Sequence, residues 1–258
     1  MKKEHIISVD KERCVKCEMC KKDCTMQIIR IGEKSSEITT QECIKCGHCV
    51  AICPKQAISM SGYEDGPEDI VPDMKLDPEV LLAKMKSRRS MRYFTAQDVA
   101  PEDIEKIIEA GRFSPTAKNM QGLSYVVLKD NIDEYERIAV TMLRRIKPVA
   151  TLFTSRYKGF DIVDNFFFKG APVAIVIKAN DVLDGALAAS LMELMAQTLG
   201  LGVLYSGFFT FAANKSGKLK RKLSLNRGDK VVTTLVLGHP DVQYKRTAQR
   251  ESAQVIYD

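Results

Sequence analysis

All eight cysteines of this 258-residue chain fall between Cys14 and Cys53, and none follows. They form two runs of identical spacing, Cys14, Cys17, Cys20 and Cys24, then Cys43, Cys46, Cys49 and Cys53. The second run repeats the first 29 positions on, and the match extends past the cysteines: Val9 maps to Ile38, Val15 to Ile44, Gln27 to Gln56 and Ile29 to Ile58. Agreement at the intervening apolar positions marks a duplicated structural unit. The start, Met1-Lys2-Lys3-Glu4-His5, has no apolar signal region, and the longest apolar runs, such as 171–177, are far short of the roughly 20 residues that span a bilayer. The protein is therefore expected to be cytoplasmic and free of membrane. Disulfides are out of place there, so a metal-binding reading of the cysteines takes precedence.

Three closely spaced thiolates wrap three corners of one cubane, and in such paired runs the fourth ligand comes from the other run. This assigns a first [4Fe–4S] cluster to Cys14, Cys17, Cys20 and Cys53, and a second to Cys43, Cys46, Cys49 and Cys24. Zinc is the competing metal, but two zinc sites seldom need this three-plus-one spacing twice. Short strands are expected at Ile6–Val9 and around Glu37–Thr39, each leading into a cluster loop. Val15, Ile29, Ile44 and Ile58 would shield the clusters and form a miniature core. Residues 5–60 resemble the bacterial two-cluster ferredoxins. One departure is Thr25, where the first run lacks the proline that follows the second as Pro54.

The chain divides into a ferredoxin-like domain over 1–61, an acidic Gly/Pro-containing linker over 62–78, and a larger domain over 79–258. In the last, Leu81, Leu82 and Met85 mark a helix face ending near Arg88. Pro101-Glu102-Asp103 opens another helix, with Ile104, Ile107 and Ile108 at helical spacing. Tyr125–Leu128, Val173–Ile177 and Val231–Leu237 read as strands, and Ile132–Ile146 as a helix. Asp181–Leu199 is a helix apolar over much of its circumference, which calls for burial on more than one side. A homodimer is the natural inference; a helix buried within one monomer is the alternative.

Four segments carry a second resemblance: Ser87-Arg88-Arg89-Ser90-Met91-Arg92; Ser114-Pro115-Thr116-Ala117-Lys118-Asn119-Met120-Gln121; Gly200-Leu201-Gly202 with Tyr205-Ser206-Gly207; and Leu237-Gly238-His239-Pro240 followed by Tyr244-Lys245-Arg246. In their order and spacing, residues 80–258 resemble the nitroreductase family of flavin mononucleotide (FMN) enzymes. The implied fold is α+β, a mixed sheet flanked by helices, behind the N-terminal ferredoxin-like domain. Guanidinium forks match phosphate oxygens bidentately and a serine adds a short hydrogen bond. The resemblance gives that role to Arg88 and Ser90, helped by Arg89 and Arg92, with Arg246 or Arg250 closing over the phosphate. A solvated basic helix end is the plainer reading of 88–92. The resemblance sets Asn119 beside the flavin ring with Gln121 nearby, and gives Tyr205, Ser206 and Gly207 the backbone N–H groups that face the ring. Glu193 corresponds to an acidic position near the ring; an exposed helical glutamate is the alternative. The chain has no tryptophan, and Gly122-Leu123 stands where many relatives have one after the glutamine.

The formal charge is +6, with about +3 in 1–61 and about −6 in 62–80. Two thiolate-bound clusters add about −4 and a flavin phosphate up to about −2. Basic character is thus read as compensation for anionic cofactors, and no nucleic-acid motif accompanies it. The expected function is an FMN-dependent oxidoreductase that passes electrons between two [4Fe–4S] clusters and FMN to reduce a small electron-poor substrate such as a nitroaromatic, quinone or enone. The resemblance also implies FMN near a homodimer interface. One alternative is an electron-transfer or redox-sensing flavoprotein serving a protein partner. Another reverses the flow, with NAD(P)H reducing the flavin and the clusters carrying electrons out. No side chain stands out as nucleophile or general base: His5, His48 and His239 lack triad partners, so no catalytic residue is assigned.

Overall fold

The computed structural model describes residues 4–71, 74–153, 159 and 161–258. The chain forms two compact units. The first comprises Met1–Lys75 with Thr116–Met120, and the second Leu76–Pro115 with Gln121–Asp258. The short segment 116–120 thus lies within 79–258 by sequence but groups with the cysteine-bearing unit.

In the first unit every element recurs 29 positions on. Strand β1 (Ile7–Val9), helix α1 (Met19–Asp23) and strand β2 (Ile29–Ile31) match β3 (Ser36–Ile38), α2 (His48–Ala51) and β4 (Ile58–Met60). Strand β1 pairs antiparallel with β4, while β2 pairs with β3. The outer strand pair therefore joins the two halves. Left-handed backbone repeats as well: Lys16 matches Lys45, Glu18 matches Gly47 and Gln27 matches Gln56, all at positive φ. Such residues cost roughly 1–2 kcal/mol each unless glycine occupies the site, so their pairwise recurrence points to a shared constraint in the cysteine loops. The buried core is small: Ile7, Ile28, Ile29 and Ile58 with Cys20 and Cys49. Ile29 and Ile58 are buried as expected, whereas Val15 is 55% exposed. It instead lies at the rim of the cavity lined by Cys14, Cys17, Cys20 and Cys53.

The second unit is built on a four-stranded sheet in the order β5 (Ser124–Leu128), β6 (Val173–Ala179), β8 (Lys230–Gly238), β7 (Gly202–Tyr205). All named pairs are antiparallel, and the parallel component of the mixed sheet is a single bridge from Ser90 to Val203. All seven residues of β6 are buried, because both faces are covered. Val173, Ile175 and Ile177 face a layer containing α4 (Pro101–Arg112) and α6 (Val182–Thr198). Ala174 and Val176 face α5 (Ile132–Phe153), α7 (Gly207–Lys215) and α8 (Gly217–Lys222), with Phe166, Phe167 and Phe168 between.

Caps explain several starts. Asp77 accepts hydrogen bonds from the Glu79 and Val80 amides at the head of α3 (Pro78–Ser87), and Asp181 does so from Leu183 at α6. Helix α3 buries none of its residues, so the apolar face of Leu81, Leu82 and Met85 has no full cover in this chain. Helix α5 runs past Pro148 to Phe153, beyond the Ile146 end expected from sequence. Proline removes one intrahelical donor, and packing of the Tyr135–Val140 stretch on the sheet holds the first part. Among the described residues no helix is long and apolar enough to cross a membrane.

Candidate cluster and flavin sites

Two cavities open in the first unit. One is lined by Cys14, Cys17, Cys20 and Cys53, with Ser36, Val15 and Pro54. The other is lined by Cys43, Cys46, Cys49 and Cys24, with Ile44, Gly47 and Met60. Counted with their mouths they measure about 320 and 330 Å³. The fold therefore brings together three thiols of one run and one of the other, twice. The Cys49 thiol is pushed up to about 11, first by burial and then by the charges of Cys43, Cys46 and Cys24. Cys24 is distant in sequence from the other three yet acts on Cys49 beside them. Four thiolates this close repel one another, which a cationic metal core among them would offset. Among the described residues no three His, Cys, Asp or Glu side chains converge on a single metal ion. A cubane holds its four thiolates on separate corners, and each set of four cysteines fits such a cluster.

Backbone amides aim at the sulfurs. Lys45 N–H donates to Cys43 Sγ at 3.2 Å, Ala57 N–H to Cys53 Sγ at 3.2 Å, and Ser36 N–H to Cys14 Sγ at 3.3 Å. The Ser36 hydroxyl also lies 3.5 Å from Cys20 Sγ and 3.7 Å from Cys14 Sγ. Burial works against the Cys14 thiolate, yet the amides of Ser36 and Lys16 bring its thiol below the usual range. Sequence reasoning passed over Ser36, whose only signal is its place at the head of β3, next to the first cavity.

In the second unit the Arg88–Arg92 turn lies along the sheet edge. Met91 N–H donates to Val203 O at 2.9 Å, beside the Ser90–Val203 bridge. This places Arg88 where its Nη1 donates to Glu193 Oε1 at 2.9 Å. Glu193 is buried on α6, so its exposed-glutamate reading is set aside. Tyr205 completes the group: burial and then the Glu193 charge raise its hydroxyl above the ordinary range, and its OH donates to Ala189 O at 3.1 Å. Arg92 Nη1 reaches Ser90 O at 3.5 Å, and the Arg89 guanidinium lies 5.8 Å from the Tyr244 ring centre.

Ser206 turns inward. Its N–H donates to Thr234 O and its hydroxyl to Phe167 O, which leaves Tyr205 and Gly207 as the ring-facing amide candidates of that stretch. Gly207 opens α7 without a side-chain cap, and a Cβ there would meet nothing within 4 Å. The guanidinium groups of the 88–92 turn and the uncapped start of α7 are each suited to a phosphate or other anionic group of a flavin. Arg246 and Arg250 are both exposed, and Arg250 Nη1 donates to the Gln249 carbonyl at 3.4 Å. Gln121 is exposed with positive φ. Asn119 belongs to the first unit, where its amide donates to the carbonyls of Ile44 and Lys45.

Comparison with known proteins agrees with this division. The family profile described as Nitroreductase family matches residues 85–239, more than half of the chain. The chain belongs to the nitroreductase family. A 4Fe-4S dicluster domain profile matches residues 13–58, so this family member carries an FMN-binding domain behind a two-cluster iron–sulfur domain. A Methanothermobacter thermautotrophicus protein named "Putative NADH dehydrogenase/NAD(P)H nitroreductase" is 24% identical over 65% of this chain and 81% of its own. An Archaeoglobus fulgidus protein of the same name is 24% identical over 63% of this chain and 86% of its own. Two solved structures share the fold. A nitroreductase with bound FMN from Desulfitobacterium hafniense has a TM-score of 0.57 at 19% identity, covering 69% of this chain and 97% of that one. A nitroreductase with bound FMN from Bacteroides fragilis has a TM-score of 0.56 at 17% identity, covering 69% and 98%. The nitroreductase fold, FMN and iron–sulfur chemistry together make this chain a redox enzyme.

Proposed function

We propose that the chain is an iron–sulfur flavoprotein oxidoreductase that passes electrons between its two [4Fe–4S] clusters and FMN and delivers them to a small electron-poor acceptor such as a nitroaromatic, quinone or enone. The observation that carries this reading is the pair of cavities, each lined by three thiols of one run and one of the other, in a chain whose larger part has the FMN-binding fold. Clusters move one electron at a time, whereas FMN exchanges electrons singly or in pairs.

Cys14, Cys17, Cys20 and Cys53 hold the first cluster, and Cys43, Cys46, Cys49 and Cys24 the second. Arg88 and Ser90 bind the flavin phosphate, with Arg89, Arg92 and one of Arg246 and Arg250 adding charge. Glu193 fixes the Arg88 guanidinium in place through their 2.9 Å bond. The amides of Tyr205 and Gly207 orient the ring with Gln121 beside it, while the Asn119 amide is spent on the Ile44 and Lys45 carbonyls. A homodimer forms through α6, whose Leu183, Leu187 and Leu191 lie four residues apart on one exposed stripe.

The test is anaerobic turnover of quinones, nitroaromatics and enones with a low-potential one-electron donor. Turnover by the holoprotein, and its loss in a Cys24→Ser variant that keeps FMN, is expected. Equal turnover by that variant contradicts the proposal. The names of the two archaeal relatives favour a second reading, in which NADH or NADPH reduces the flavin and the clusters carry electrons out. Rapid flavin bleaching on mixing with NADH or NADPH, followed by slower cluster reduction, selects that direction.

A further inference from the structure

The two cluster loops share cysteine spacing and the signs of φ, yet the side chain of Asn119 sets the second apart. Asn119 Nδ2 donates to Lys45 O at 2.7 Å and to Ile44 O at 3.3 Å. Both amide hydrogens are thereby committed to consecutive carbonyls of the Cys43–Cys46 loop. The Ile44 carbonyl and the Lys45 N–H are the two ends of one peptide group, and that N–H donates to Cys43 Sγ at 3.2 Å. A donor on the carbonyl end polarises the peptide and strengthens the bond its N–H makes, by about 10–30%. The path from Asn119 to sulfur is thus a two-bond chain through one peptide.

The first loop has the same turn without this relay. Lys16, at the position matching Lys45, also sends its amide to the sulfur of Cys14. Among the described residues, no side chain donates to the Val15 carbonyl that corresponds to Ile44. The Lys16 ammonium instead donates to Glu33 O at 3.0 Å.

The segment that presents Asn119 is held in unusual backbone. Lys118 and Asn119 have consecutive positive φ values of 51° and 52°. Asparagine tolerates this region, but lysine does not favour it, so the turn persists only because its surroundings fix it. Asn119 N–H donates to Thr116 O at 2.9 Å and Met120 N–H to Ala117 O at 3.0 Å, which closes the turn. The segment is bounded by Pro115 and Gln121, both in the FMN-binding unit. Asn119 thus reaches the second cluster's loop from within the cysteine-bearing unit, and the Tyr63 hydroxyl adds a bond to Lys45 O at 3.4 Å while leaving Ile44 O to Asn119.

We propose that Asn119 is a positioning residue that raises the reduction potential of the second cluster above the value its loop would give without this donor, by polarising the Ile44–Lys45 peptide onto Cys43. This rests on the assignment of Cys43, Cys46, Cys49 and Cys24 to one cubane. Hydrogen bonds to cluster sulfur favour the more negative, reduced state, so they raise the potential. Loss of the relay lowers it, and the first cluster is the internal control.

The experiment is an anaerobic redox titration of the full chain followed by electron paramagnetic resonance. Asn119→Asp keeps the side-chain volume and removes both donors; Asn119→Ala removes them without adding charge. Both variants are expected to lower one of the two midpoint potentials and leave the other in place. For Asn119→Ala the one-electron reduction equilibrium should fall about threefold, ~28 mV at ~59 mV per decade. The displaced signal should be the one that Cys24→Ser abolishes. Unmoved potentials in both variants, or an equal shift of the two clusters, overturn the inference. Iron and sulfide contents that do not support two clusters in the unaltered protein overturn the cubane assignment itself, a distinct result. A variant that loses iron is replaced by Asn119→Gln, which retains the donor: potentials equal to the parent support the relay, and a lowered second potential despite the donor contradicts it.

Discussion

The two units of this protein cohere by different means. Among the described residues, the FMN-binding unit buries nineteen residues in one apolar cluster and thirteen in another, on opposite faces of a sheet whose central strand is fully enclosed. The cysteine unit has one cluster of six buried residues, two of them Cys20 and Cys49. A segment of that size is too small to bury much apolar surface, so metal ligation must supply what packing does not. The lesson is that chemistry and stability coincide in the first unit and separate in the second. Iron there is both electron carrier and scaffold, whereas FMN would bind to a fold that already has a core.

Iron removal should break that contrast most visibly. Anaerobic chelation is expected to abolish the amide protection of β1–β4 in hydrogen exchange while β6 and β8 stay protected. Equal loss in both units would mean that the second core depends on the first. Next in size are the ligand exchanges between halves. Cys24→Ser should remove the second cluster and Cys53→Ser the first, each with about half of the iron and sulfide. Iron analysis paired with cluster spectra checks this, and loss of the first cluster from Cys24→Ser contradicts the crossed assignment.

In the FMN-binding unit, Arg88→Ala should weaken flavin binding about tenfold to a hundredfold, the range for one or two charge-assisted hydrogen bonds, with both clusters retained. Flavin fluorescence titration measures it. Glu193→Gln, which leaves Arg88 without its carboxylate, should have a smaller effect in the same direction. The finest test concerns Ser36, which places a hydroxyl near Cys14 and Cys20. Ser36→Ala should lower the first cluster's potential slightly and leave the second alone, the mirror of the Asn119 variants.

Much of this was legible in the sequence because it is periodic or covalent. The crossed cysteine sets follow from spacing, and the cavities assemble the same residues. The strands β5, β6 and β8 were visible as runs of Val, Ile and Leu, and α6 from its length and apolar content. Helices α7 and α8 were not read, because Gly207 and Gly217 at their starts and the short span of each dilute any helical period. The Arg88–Glu193 pair joins residues 105 positions apart, a contact that no local pattern encodes. Ser206 illustrates the limit from the other side: its motif suggested a ligand-facing amide, but the β7–β8 register commits that N–H to Thr234 O. Asn119 likewise offered a versatile amide, and only the fold shows its two donors spent on Ile44 and Lys45.

Electron passage between the clusters and FMN within one chain is the central claim, and single-turnover stopped-flow absorbance tests it most directly. Holoprotein with oxidised FMN and clusters is mixed anaerobically with one equivalent of a low-potential reductant that reacts with clusters. Cluster reduction followed by flavin bleaching, at a rate independent of protein concentration, is the result this account predicts. Clusters that stay reduced beside oxidised flavin, or bleaching whose rate rises with protein concentration, would contradict it.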